Sequence, residues 1–296
     1  MGTASLHFKV DRMALRSLWR TLRVPKLERL ECVHRQSIWR RALSKEPGVL
    51  VEGRHYCLEH CLEPALEEMI VRTQSGRQSS RVAHRVPLGL LLVSRRQLTP
   101  EQLRAALETQ RREGHGRLGD WLLSLGFADE QQITSALARQ WSCPVLRVDS
   151  SYPRSTRIPQ IPFTLLESFA IVPVDYVEAT QTLHVAFGEG IDYNLLYAME
   201  KMTGCHTEAC MAVPSFIRRS LQDLMPRRGE HELSFIHVSS GTDLVRTLRS
   251  YCARVSATEI RLASCRGWLW ARLSRISRPA LDLLFNMRPA VASAAS

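Results

Sequence analysis

Four side chains near the start of the chain are of the types a metal ion binds. Cys32, His34, Cys57 and Cys61 offer thiolate sulfur and imidazole nitrogen, the donors from which zinc builds a closed tetrahedron. His60 can stand in for His34. The spacings Cys-x-His and Cys-x3-Cys depart from the common two-residue gap, so three metal-free thiols remain an equal alternative. Either way the role is structural, since no open ligand position is suggested for a catalytic water. A second set of chemically capable residues occurs twice. Arg117-Leu118-Gly119-Asp120, then Gly126 and Gln140, has a counterpart in Pro87-Leu88-Gly89, Arg96 and Gln110. Each mate lies 30 positions away (117 − 87, 119 − 89, 140 − 110), the signature of a repeated supersecondary unit.

The repeat translates into elements. In the second copy Leu118 to Leu125 is a short apolar helix stopped by Gly126, which tolerates the left-handed conformation of a helix end. Asp129 with Gln132 is a capping-box pattern for the next helix, whose Ile133, Ala136, Leu137 and Gln140 share one face. In the first copy Thr99 caps, Pro100 fits the first helical position and Gln102 closes the box. Two helical hairpins therefore follow one another, joined through Gly114 and Gly116. Ahead of them, residues 1–70 hold a basic helix with Leu15, Leu18, Trp19 and Leu22 on one face, then the Cys/His segment, which resembles a degenerate zinc-finger fold. Residues 71–86 read as a polar linker. Beyond the hairpins (87–142), residues 143–225 read as a small layer: a strand at 145–148, a short helix at 162–168, a β-hairpin from Ile171–Val177 and Thr182–Phe187, a helix over 193–202, a strand at 206–213 and a last helix at 214–225. After a charged linker at 226–232, residues 233–288 read as one helix against three or four strands. The fold class is α+β: tandem helical hairpins on a small α/β layer, with an N-terminal zinc-finger-like segment and a C-terminal small α+β domain.

The tandem Arg-Leu-Gly motifs with their spaced leucines and closing glutamine resemble the MshEN-type N-terminal domain of type II secretion and type IV pilus ATPases. The resemblance continues through Cys143-Pro-Val-Leu-Arg-Val-Asp149, Phe169-Ala-Ile-Val-Pro-Val174, Leu183-His-Val-Ala-Phe187 and Met202-Thr-Gly204, and covers about half the chain. It implies a ligand, cyclic di-GMP, with each motif holding one half of a two-fold symmetric molecule. It also implies partners among the secretion or pilus machinery. By that pattern the ligand residues are Leu88, Gly89 and Gln110 in the first copy and Arg117, Leu118, Gly119, Asp120, Gly126 and Gln140 in the second. The chemistry fits: arginine stacks on a base or donates to guanine O6 and N7, contacts worth about 1–3 kcal/mol, and glycine lets backbone amides approach. The first copy departs from the pattern. Pro87 stands where the arginine belongs, and Arg96 takes the place of the second glycine, at a cost of about 1 kcal/mol if the position is left-handed. A hairpin pair kept only for docking on a partner protein is the alternative function.

Composition narrows the rest. Lys and Arg number 40 against 29 Asp and Glu, a formal charge of +11 that suits an anionic partner. The eight cysteines form no even disulfide framework, which fits a reducing cytoplasm, with peripheral contact to an inner membrane as a further option. No apolar run is long enough to span a bilayer. The 296 residues contain no Gly-x4-Gly-Lys-Ser/Thr, His-Glu-x-x-His or Gly-x-Ser-x-Gly sequence, so catalysis is not expected. Arginines alternating with Trp268 and Trp270 read as the outward side of a half-buried strand in preference to a nucleic-acid surface.

Overall fold

A hairpin near the start of the chain is built to join a sheet whose other strands come some two hundred residues later. The computed structural model describes residues 48–58, 61–75, 85–146, 158–227, 229, 231–236 and 240–287. Strands β1 (Gly48–Val51) and β2 (Arg54–Cys57) pair across a two-residue turn. Glu52 and Gly53 both take positive φ there, 47° and 80°, the twist a tight hairpin favours. Val49 and Val51 are buried, and β1 pairs in parallel with β7 (Glu259–Cys265), Leu50 opposite Glu259. With β8 (Trp268–Arg275), β9 (Arg278–Asn286) and β6 (Glu232–Phe235), these strands form one six-stranded sheet in the order β2-β1-β7-β8-β9-β6.

Period-two alternation gives this sheet two apolar faces. Leu269, Ala271 and Leu273 of β8 lie under helices α1 (Leu62–Ser75) and α9 (Gly241–Val255), which contribute Leu62, Leu66, Leu244 and Leu248. Trp270 of β8, with Ala263, Cys265 and Leu284, faces the other way and packs on α7 (Tyr193–Thr203) through Leu195, Met199 and Met202. Helix α7 belongs to the middle of the chain. There, α6 (Phe163–Phe169) and α7 pack on a three-stranded sheet, β3 (Ile171–Val177), β4 (Thr182–Phe187) and β5 (His206–Met211), whose far face is covered by α8 (Pro214–Leu224). One helix thus serves two sheets.

Two buried polar groups fasten the sheets together. Arg272 donates to Asp282 at 2.8 Å through two nitrogens, and Trp270 Nε1 donates to the same carboxylate at 2.8 Å. The guanidinium then reaches Met202 O (3.1 Å) in the last turn of α7 and Gln160 O (2.6 Å). Glu232 of β6 accepts from the backbone of Phe163 and Thr164, the open N–H groups at the start of α6.

Several expectations change here. The C-terminal unit is not one helix on three or four strands, because β1 and β2 extend its sheet and α1 adds a second helix. The described part of the Cys/His segment is therefore a hairpin and helix of that sheet and not a zinc-finger-like fold. Helix α1 runs to Ser75, into the stretch read as linker, and residues 76–84 lie outside the described ones. Arg272, expected to face outward, is buried, since Asp282 and two carbonyls satisfy its guanidinium. The basic N-terminal helix, residues 147–148 of the strand expected at 145–148 and the last residues lie outside the described parts; Val145 itself bridges to Met211. Among the described residues no helix is long and apolar enough to cross a membrane.

Candidate functional site

The two hairpins are α2 (Leu88–Ser94) with α3 (Pro100–Glu113), and α4 (Leu118–Ser124) with α5 (Glu130–Trp141). Both long helices start at the expected capping boxes. Thr99 N donates to Gln102 Oε1 (2.9 Å) and Gln102 N to Thr99 Oγ1 (3.2 Å); the Asp129 and Gln132 pair repeats this at 2.9 and 2.7 Å. Packing exchanges the copies: α2 lies against α5, and α3 against α4. The motif openings meet where α2 crosses α4. A Cβ placed on Gly89 would stand 3.3 Å from Leu118 Cδ2, and one on Gly119 would stand 3.7 Å from Leu88 Cδ2. The same two glycines face their own long helices at Leu103 and Ile133, residues that are themselves 30 apart. Leu88, Gly89, Leu118 and Gly119 therefore make a crossing with approximate two-fold symmetry, in which the glycines allow close approach of helices.

The closing glutamines obey the same symmetry. Gln110 Nε2 donates to Gly116 O (2.9 Å), and Gln140 Nε2 donates to Val86 O (2.7 Å). Each amide thus holds the residue just ahead of the other copy's opening. Asp120 accepts from Arg117 N (3.2 Å) and steadies the start of α4. Gly126 takes φ 66° after α4 and Arg96 takes φ 57° after α2, so the arginine does sit in the left-handed position inferred from sequence.

Arg117 projects from the opening of α4 and forms an ion pair with Glu189, on the loop between β4 and α7. That loop gathers further groups. Gly190 lies against Trp141, where an added Cβ would come within 3.1 Å of Cζ2. Trp141 stacks under the Arg85 guanidinium, 3.2 Å from ring centre to Cζ, and its ring lies 6.1 Å from that of Tyr193. Asp192 caps α7, accepting from Asn194 N and Leu195 N, and pairs with Arg266 at 3.2 Å. Arg117 and Glu189 are brought together, whereas Asp192 is occupied by its helix and Arg266. Arg85 and Trp141 were not singled out from sequence. Their signal was position: Arg85 stands two residues before the first copy, and Trp141 directly follows the second glutamine.

The proposed metal ligands are not assembled by the described residues. Cys57 is buried on β2, Cys61 precedes α1, and Cys32 and His34 lie outside the described parts. Among the described residues no group of three or more His, Cys, Asp or Glu could hold a metal ion.

No family model matches the chain. The type IV pilus assembly ATPase PilB of Myxococcus xanthus (strain DK1622) is 27% identical over 142 residues, which are 48% of this chain and 25% of that protein. This chain thus spans about a quarter of the length of that relative. Among solved structures, one of MshE with cyclic di-GMP shares 27% identity and covers 47% of this chain and 99% of the other, with a TM-score of 0.40. The N-terminal domain of XpsE shares 19% identity over 46% of this chain and 91% of its own, with a TM-score of 0.37. The repeat and the match to the pilus ATPase agree: the middle of the chain is similar to the MshEN-type N-terminal domain of type II secretion and type IV pilus assembly ATPases.

Proposed function

We propose that this chain is a non-catalytic regulatory or assembly module of the secretion and pilus type, and that its paired hairpins bind cyclic di-GMP. The observation that carries this reading is the crossing of α2 and α4. Two copies of one motif meet there about a shared approximate two-fold, each glutamine holding the other copy's opening. A cyclic dinucleotide has matching symmetry, with two guanines and two phosphates. Arg117 is the cation of the second half; in the first half Pro87 takes that place, and Arg85, two residues earlier, stacks on Trp141. The 296 residues lack a phosphate cradle and its lysine, so a bound nucleotide acts as a signal and is not turned over.

Calorimetric titration of the purified chain with cyclic di-GMP tests the reading directly. Saturable binding at one ligand per chain supports it, and no heat at any concentration up to millimolar overturns it. One observation favours the docking alternative: Pro87 carries no charge and Glu189 already engages Arg117. On that alternative the hairpins contact a machine protein, and restoring the arginine at position 87 changes nothing.

A further inference from the structure

The turn joining β8 to β9 stands clear of its neighbours. Strand β7 last pairs with β8 at Glu259 opposite Ser274, and β6 first meets β9 at Asp282. Residues 275–278 therefore extend past the strands on both sides. Ile276, at the tip, is 78% exposed, more than any other large apolar side chain among the described residues. Arg275 and Arg278 pair across the strands on either side of it. Arg275 donates to Pro279 O, and neither arginine meets a carboxylate among the described residues. Thr258 N donates to Ser274 O, which brings the C-terminal end of α9 to the same end of the sheet. There Arg254 is exposed, its guanidinium 4.1 Å from the Tyr251 ring centre, again with no described carboxylate partner.

Among the described residues nothing covers this aliphatic side chain, which Arg275 and Arg278 flank, and these two and Arg254 at the same end of the sheet meet no described carboxylate. We propose that this hairpin tip docks on an anionic lipid surface. Ile276 enters the boundary between headgroups and acyl chains, and Arg254, Arg275 and Arg278 lie among the phosphates. Insertion removes apolar area from water, and each arginine near an anionic bilayer adds attraction. The net charge of +11 draws the whole chain the same way. A nucleic-acid surface fits less well, because the tip offers no free aromatic ring for a base and a central isoleucine contributes nothing against a phosphate backbone.

The test is co-sedimentation of the full chain with phosphatidylcholine vesicles, with and without phosphatidylglycerol. The chain should partition onto the anionic vesicles and not onto the neutral ones. Arg275→Glu with Arg278→Glu should weaken partitioning by at least about 25-fold, roughly fivefold for each cation lost near the surface. Ile276→Asp should weaken it as well. All three positions lie outside the core, so an unchanged melting midpoint confirms that the variants fold. Wild-type chain that ignores anionic vesicles overturns the proposal. So does vesicle binding that survives both sets of substitutions, or binding to duplex DNA that these substitutions abolish while vesicles are ignored.

Discussion

Arg117 is held by Glu189 at the surface, with 59% and 52% of the two side chains exposed. An ion pair so open to solvent contributes less than about 1 kcal/mol. A stacked base or a bidentate guanine contact is worth about 1–3 kcal/mol, so on the proposed function a guanine would outcompete the glutamate for the arginine. Arg117→Ala should weaken cyclic di-GMP binding by that amount in calorimetry, and Pro87→Arg should tighten it. Binding that ignores Arg117→Ala places the ligand elsewhere. Arg96 bears on stability alone: at φ 57° it occupies the position its mate fills with glycine, and Arg96→Gly should raise unfolding free energy by about 1 kcal/mol in urea. Arg96 and the capping boxes were legible in sequence because their causes are local. The glutamine partners were not, since Gln140 and Val86 stand 54 residues apart. The thiols form another residue-level set. Burial pushes Cys210, Cys252 and Cys265 up to about 12 from an ordinary 9.0, and raises Cys143 as well. Above pH 9 the unfolded chain sheds these protons while the folded chain keeps them, so stability should fall as pH rises from about 9 toward 12. Alkylation followed by mass spectrometry should label the half-exposed Cys61 and Cys143 first, and the buried Cys57, Cys205, Cys210, Cys252 and Cys265 only on unfolding.

In the hairpins the motif's glycines serve packing. The sequence offers the glycine that ends Arg-Leu-Gly as a place for a ligand to approach the backbone, yet Gly89 and Gly119 are places where helices approach each other. The two sites differ in slack. At Gly89 a Cβ would fall 2.5 Å from Leu103 Cδ1, whereas at Gly119 the nearest atom, Ile133 Cγ2, is at 3.5 Å. Gly89→Ala must push the end of the Leu103 side chain aside, so it should be less favourable than Gly119→Ala, by up to about 1–3 kcal/mol of overpacking. Gly119→Ala should be neutral, or stabilising by up to about 1 kcal/mol from helix propensity. Thermal melts of the two variants read the contrast, and equal losses would mean that the crossing is not as close at α2 as described. Element order across 87–225 could be read from sequence because turn and cap residues bound each helix and strand. The exchange of partners between copies could not, for the leucine stripes of the two hairpins are alike and pattern alone does not say which long helix a short one will choose.

At the scale of the whole molecule, Arg272 and Asp282 decide whether the two sheets act as one body. Removing the arginine leaves a fully buried carboxylate without its cation, and Arg272→Ala should cost about 3–5 kcal/mol. It should also split a single unfolding transition into two, measured by calorimetric scanning. A single transition with a small shift would show that the apolar contacts of α7 suffice. The sequence around Trp268 to Arg275 could not reveal this, because period two shows which residues share a face and not which face is covered. The parallel pairing of β1 with β7 was hidden for a different reason: Leu50 and Glu259 are 209 positions apart (259 − 50), and four apolar residues carry no mark of a partner so distant. That pairing has a temporal consequence. On the ribosome β1 and β2 emerge first and must wait, unpaired on one side, through the synthesis of the entire hairpin module before their neighbour appears. The module is thus completed inside an unfinished frame that closes last. A chain severed between α1 and α2 after folding should stay together as two fragments on a sizing column, whereas the same fragments synthesised apart should find each other only slowly.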